Sequence, residues 1–191
     1  MYSSASRAFS RCAQTPENRA QRRGVPVIGR FVLVLLDMLR LRAAPQDVPP
    51  GWLFAATLTL AYVAQGFIAD QLLGDSEGAP RSLLAITCQF VVVAMLLKAR
   101  GFRARLPQTL TALAGTGFIF GLLSLMILSR VDPDRAQPDL ALFYLILFGW
   151  SLVVDAHIYR HAMAINMSLG VLVAVLIFAL NFIFIETMFT T

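Results

Sequence analysis

The sequence is poor in charge, in cysteine and in catalytic motifs. Only 14% of its 191 residues are charged, whereas about 25% is usual in soluble proteins. Its cysteines, Cys12 and Cys88, are expected in different environments and therefore without a disulfide between them. No G-x-S-x-G, H-E-x-x-H or phosphate-binding glycine motif is present. These absences predict a protein that is not an enzyme and has no cofactor.

Five long apolar runs account for much of the sequence. A helix needs about 20 apolar residues to cross a hydrocarbon core of about 30 Å, and backbone groups in lipid need partners within the segment. Each run is therefore predicted to be a transmembrane helix. The predicted fold class is an all-α integral membrane protein, with five transmembrane helices preceded by an interfacial amphipathic helix. The runs cover residues 51–70, 82–97, 109–129, 140–159 and 167–185.

The basic residues fall mostly on one side of these runs. Of the 16 lysines and arginines, all but Arg81, Arg130 and Arg135 lie before the first run, between the second and third, or between the fourth and fifth. The positive-inside rule then predicts a cytoplasmic N-terminus and a periplasmic C-terminus. The excess of arginine over lysine, with many alanines and leucines, favours a bacterial inner membrane.

Three regions follow from this pattern. Residues 1–25 are rich in arginine and serine and are predicted to form a disordered basic cytoplasmic arm; a transit peptide for the mitochondrial inner membrane is the alternative. Residues 26–43 carry a charged stripe and are too short to span, so they are predicted to form the interfacial helix. A sixth span there is rejected because it would turn the basic arm outward. Residues 51–189 are predicted to form the five-helix membrane domain.

Arginines on the predicted cytoplasmic face are expected to contact anionic lipid headgroups. No basic stretch is interleaved with aromatic residues, which argues against nucleic acid. The expected partners are the lipid bilayer and, in addition, another membrane protein or a second copy of the chain. The headgroup candidates are Arg30, Arg40, Arg42, Arg100, Arg103 and Arg105.

The two histidines are weak candidates for a metal site. His157 and His161 are four residues apart and share a helical face, whereas Asp155 points elsewhere. A zinc site also needs a ligand from another segment, and candidates for it are few. The pair is therefore interpreted as interfacial histidines near Arg160, and no metal is predicted.

Polar residues within the spans are candidates for function or for helix packing. Gln65, Gln89 and Asn181 lie deep and are expected to hydrogen-bond between helices. Asp70 and Asp155 are placed near span ends, where exposure to water is cheap. With no acidic or basic group expected near the membrane centre, a proton or ion pathway is not predicted.

Small residues four apart mark two helices for close approach. Gly117 and Gly121 form a GxxxG pattern in the third run, and Gly170 and Ala174 have the same spacing in the fifth. Packing within the chain is the preferred interpretation of both pairs, and dimerisation is the alternative.

The segments RFVLVLLDMLRLR and WSLVVDAHIYRHAMAINMSLGVLVAVLIFALNFIF, with the five closely spaced runs, give the chain a resemblance to the Yip family over about residues 27–189. Eukaryotic Yip members interact with Rab GTPases, and the acidic-aromatic DLYGP-type segment of those members is absent from this arm. The resemblance supplies no catalytic residues. It implies a non-enzymatic membrane organiser or adaptor.

The leading function from sequence is therefore a non-enzymatic inner-membrane adaptor or organiser. It would act by helix packing and through contacts of its basic cytoplasmic face. The alternatives are a small transporter or channel subunit and an accessory subunit of a larger membrane complex.

Overall fold

The computed structural model describes residues 27–72, 74, 78–132 and 137–189. The predicted basic arm, residues 1–25, lies outside the described residues. Each apolar run corresponds to one long helix. The helices are α1 (Val27–Leu39), α2 (Trp52–Leu72), α3 (Gly78–Ala99), α4 (Leu106–Leu128), α5 (Pro138–Met163) and α6 (Met167–Phe189), with 3₁₀ turns at Pro45–Asp47 and Arg103–Arg105.

Helices α2 to α6 are long and apolar enough to cross a membrane, which confirms, for the described residues, an all-α fold with five helices able to span; the interfacial position of the segment before them stays a prediction. Two of these helices have a proline in their first turn. Pro107 lies in the first turn of α4 and Pro138 begins α5, positions where the missing N–H would have no helical partner.

The five long helices form a closed ring. Around this ring α2 packs on α4, α4 on α5, α5 on α6, α6 on α3, and α3 on α2. The ring has two ends. Residues 46–51, 100–105 and 164–166 lie at one, here called the arm end, and the helix ends at Leu72 and Leu128 lie at the other, here called the far end.

Helix α1 packs across the arm-end halves of α4 and α5. Leu35 fits against Gly115, where an added Cβ would lie 2.7 Å from Leu35 Cδ2. The indole nitrogen of Trp150, at the centre of α5, donates to the Leu39 carbonyl at 3.1 Å. The predicted segment 26–43 thus contains a helix, and that helix is held against the ring by apolar packing and a hydrogen bond.

The chain reverses sharply after α1. Leu41 adopts a left-handed conformation, with φ of 60°, and the Arg42 amide donates to the Asp37 carbonyl at 2.8 Å. This arrangement is a Schellman motif, which satisfies carbonyls at the end of a helix. The following segment returns along the ring, and Gln108 Nε2 donates to the Val48 carbonyl at 3.0 Å.

Burial is concentrated in the arm-end half. The side chains that are large and less than 2% exposed come from α1, the segment after it, the second halves of α3 and α5, and the first half of α4. Within the described residues they are Met38, Pro45, Val48, Val93, Leu97, Thr109, Thr111, Thr116, Val154, Ile158 and Tyr159.

Candidate functional site: a polar cavity and a polar cluster inside the ring

A cavity of about 310 Å³ lies between the far-end halves of α2, α3 and α4. It extends from Tyr62, at the centre of α2, to Asp70 near the far end of the same helix. Tyr144 of α5 closes one side. The other lining residues are Gln65, Gly66, Ala69, Ser82, Ala85, Ile86, Gly121, Ser124, Leu125 and Leu128.

Gln65 is the most deeply buried polar side chain of this cavity. It is only 8% exposed, and its Oε1 atom has no hydrogen-bond partner within the described part of the chain. Leaving such an acceptor unpaired costs about 1–3 kcal/mol. Gly121 makes room for the amide, because an added Cβ would lie 2.5 Å from Oε1.

Asp70 lies toward the far end of the cavity. Ser82 Oγ donates to Asp70 Oδ2 at 3.0 Å, which joins α2 to α3. Gly78 leaves space for the carboxylate, since an added Cβ would lie 2.7 Å from Asp70 Cγ. Asp70 is the one charged residue among those that line the cavity, and none of these lining residues is basic.

A second polar group lies deeper, at the level of the helix centres. Gln89, at the middle of α3, points its Nε2 toward Asp155 Oδ2 at 3.4 Å and donates to the Tyr159 hydroxyl at 3.1 Å. The Asp155 carboxyl also lies within electrostatic range of Tyr62, which lines the cavity. We call Tyr62, Gln89, Asp155 and Tyr159 the central cluster.

The central cluster corrects the expectation that no acidic group lies deep in the spans. The fourth apolar run ends at residue 159, which placed Asp155 near a span end. Helix α5 continues to Met163, so Asp155 lies eight residues, or about 12 Å, from the end of the helix. The spacing of Asp155 and Tyr159, which puts them on one face, was the sequence signal for this cluster.

The predicted helix-packing glycines of α4 lie inside the ring. An added Cβ at Gly117 would lie 2.8 Å from Tyr62 Cζ, just as one at Gly121 would meet the Gln65 amide. Both glycines therefore accommodate polar side chains of α2. In α6, Gly170 lies against α5, with an added Cβ 2.6 Å from the Ala156 carbonyl oxygen, and Ala174 is buried.

The three deep amides do not pair with one another. Asn181 Nδ2 donates to the Ala85 carbonyl at 2.9 Å and joins α6 to α3. Gln89 joins α3 to α5, and Gln65 faces the cavity. The bonds between helices expected of Asn181 and Gln89 are therefore made to a backbone carbonyl and to a tyrosine hydroxyl.

His157 and His161 are adjacent, with ring centroids 4.5 Å apart. His157 Nε2 lies 3.0 Å from the Ala43 carbonyl oxygen, so this ring holds the segment after α1 against α5. No group of three histidine, cysteine or acidic side chains is placed to hold a metal ion among the residues that the structure describes. The ring contact that the structure shows for this pair beyond α5 is the one between His157 and Ala43.

Five of the six predicted headgroup arginines are exposed, namely Arg30, Arg40, Arg42, Arg100 and Arg103. Arg105 differs, because it is half-buried and donates to the carbonyls of His161 and Ala162, both at 3.2 Å. A cation at this position satisfies carbonyls at the end of α5 and interacts favourably with the helix dipole. Arg105 thus fastens the arm end of α5 to the segment before α4.

Comparison of the chain with protein-family models, with curated proteins and with solved structures finds no match. The resemblance to the Yip family stays a prediction.

Proposed function

We propose that this chain is a non-enzymatic inner-membrane protein that binds a small polar solute inside its helix ring and acts as a small transporter or channel subunit. The single observation that carries the proposal is the cavity, which presents several polar side chains on a largely apolar wall and ends at the central cluster. Polar and ionisable residues inside a membrane are costly, and they commonly mark the pathway of a substrate or ion. From the sequence alone, this function is an alternative to an adaptor or organiser. The cavity is the reason to prefer it here.

The asymmetry of the ring supports the same proposal. The cavity occupies the far-end half, whereas the arm-end half is closed by fully buried side chains such as Leu97 and Ile158. A carrier needs a solute site that is reached from one side at a time. With the predicted orientation, the N-terminus is cytoplasmic and the cavity faces the periplasm.

A second proposal concerns the arm end. Arg30, Arg100 and Arg103 are exposed there, and each basic residue near an anionic surface contributes about 1 kcal/mol to binding. These residues support an organiser that engages lipid headgroups or a partner protein. The two functions are compatible, since they use opposite ends of the molecule.

The transport proposal is tested by solute flux in liposomes that contain the purified chain. The solutes are methylammonium, acetate and glycerol, so that a cation, an anion and a neutral molecule are compared. Ala69→Phe fills the cavity, whereas Ala64→Phe adds the same ring to an exposed position of the same helix. We expect flux of at least one solute above that of empty liposomes, abolished by Ala69→Phe and retained by Ala64→Phe.

Equal amounts of folded protein in each sample, checked by size-exclusion chromatography, make the two variants comparable. If no solute crosses faster than in empty liposomes, or if both variants behave alike, transport through the cavity is refuted. The organiser proposal then takes its place.

A further inference from the structure

We infer that the cavity recognises a small primary ammonium ion, bound through its N–H groups by Gln65 Oε1 and by the field of the Asp70 carboxylate. This inference rests on the proposed solute site and names the chemical class of its ligand.

The Gln65 side chain carries an unpaired hydrogen-bond acceptor. Gln65 is more than nine-tenths buried, it lines the cavity, and its Oε1 atom has no partner within the described residues. A carbonyl oxygen accepts hydrogen bonds and donates none. A ligand that satisfies it must therefore bring a donor, which an ammonium group does and a carboxylate does not.

The wall of the cavity is acidic. Asp70 is the one charged side chain among the lining residues, and Ser82 occupies one of its oxygens. An ionised carboxylate has about four lone-pair sites, so acceptor capacity remains beside the Ser82 hydroxyl. Because no basic side chain belongs to the lining, an anion would meet repulsion from Asp70 with no positive charge in the lining to offset it.

Gln65 and Asp70 lie along the same helix and both line the cavity. Gln65 and Asp70 are five residues apart on α2, or about 7.5 Å along the helix axis. The lining also includes three residues that carry hydroxyl groups, Tyr62, Ser124 and Tyr144. An ammonium group has three donors, and oxygens on three sides of the cavity can accept them.

The size of the cavity and the apolar part of its wall suit a short alkyl ammonium ion. A volume of about 310 Å³ is at the lower end of the range of about 300–1,000 Å³ found for ligand pockets. The rest of the wall is apolar, with Ala69, Ile86, Leu125 and Leu128. Short alkyl chains fit such a wall, whereas a strongly hydrated inorganic cation would lose most of its water there.

The test measures binding to the purified full chain in detergent by isothermal titration calorimetry. The probes are methylammonium, tetramethylammonium, acetate and sodium, all at equal ionic strength. We expect saturable binding of methylammonium, and binding of tetramethylammonium at least tenfold weaker because it has the same charge but no N–H donor. Acetate is expected not to bind, and sodium is expected not to compete.

Three variants locate the site. Gln65→Met keeps the shape of the side chain but removes the acceptor, and Asp70→Asn removes the charge; each is expected to weaken methylammonium binding at least tenfold. Asp139→Asn removes an exposed acidic residue at the far end of α5 that is not part of the cavity, and it should leave binding unchanged. Thermal unfolding of each variant shows that it is folded.

Several results overturn the inference. They are an absence of saturable methylammonium binding to the folded chain, equal binding of tetramethylammonium or sodium, and binding that survives Gln65→Met and Asp70→Asn. Failure of the inference is distinguishable from failure of the proposed function. If Ala69→Phe abolishes a flux of glycerol or acetate, transport through the cavity is supported but the ammonium ligand is not. If methylammonium binds but shows no flux, the ligand is supported but transport is not.

Discussion

In the arm-end half of the ring, Leu97, Ile158 and Tyr159 are almost completely buried, whereas in the far-end half Leu145 and Ile146 of α5 are 63% and 60% exposed. The six consecutive residues 141–146 are all exposed. Since six residues cover every direction around a helix, the far-end half of α5 is packed only loosely on its neighbours.

The two halves differ because only one of them receives an additional layer. Helix α1 and the segment after it pack on the arm-end halves of α4 and α5, and Trp150, Gln108 and His157 bind its backbone. The five long helices receive no such layer at the far end from the described residues. One half of the ring therefore carries the tight packing, and the other half is left free to surround a ligand.

Removing the same side chain from each half is the strongest way to break this comparison. Leu97→Ala in the arm-end half leaves a void among fully buried neighbours and should lower the free energy of unfolding by about 2–5 kcal/mol. Leu125→Ala merely enlarges an existing cavity, so its cost should be below about 1 kcal/mol. Denaturant titration in mixed micelles measures both values. Equal losses would mean that the two halves are packed alike.

Adding a methyl group at one glycine of each half is expected to change the free energy of unfolding less than the removal of a leucine side chain does. At Gly170 an added Cβ meets the Ala156 backbone oxygen at 2.6 Å, and backbone cannot move aside easily, so Gly170→Ala should cost about 1–3 kcal/mol. At Gly66, beside the cavity, the nearest atom is Ser82 Cβ at 3.8 Å. Gly66→Ala should be neutral or stabilise by up to about 1 kcal/mol, because alanine is the better helix former. Opposite signs are expected in the same unfolding assay, and a loss at both positions would contradict the comparison.

The helices could be predicted from sequence, but the difference between the halves could not. Hydropathy depends on composition alone, and Leu97 and Leu145 are the same residue type in equally apolar runs. What separates them is whether α1 or another helix lies nearby, which is tertiary information. Likewise the spacing of Gly117 and Gly121 indicated close packing, but the side chains that fill the space, Tyr62 and Gln65, depend on which helix α4 meets.

The smallest expected effect tests the turn that keeps the arm-end half tight. Only residues 164–166 join α5 to α6. Within them, Ala164 takes a left-handed conformation with φ of 54°, the Ile165 amide donates to the Arg160 carbonyl at 3.0 Å, and Asn166 Oδ1 accepts from the Leu169 amide at 2.8 Å.

A left-handed conformation costs about 1–2 kcal/mol for residues other than glycine, so replacing Ala164 by glycine removes this cost. Part of the resulting gain in stability is lost because glycine loses more backbone entropy on folding. Ala164→Gly should therefore raise the free energy of unfolding by up to about 1 kcal/mol. Ala164 is exposed, so the change removes little packing. The matched control is Ala64→Gly, at an exposed position inside α2, which should cost about 1 kcal/mol. Two changes of the same atoms should thus shift stability in opposite directions, and a loss at Ala164 would show that this turn is not the strained element that holds α5 against α6.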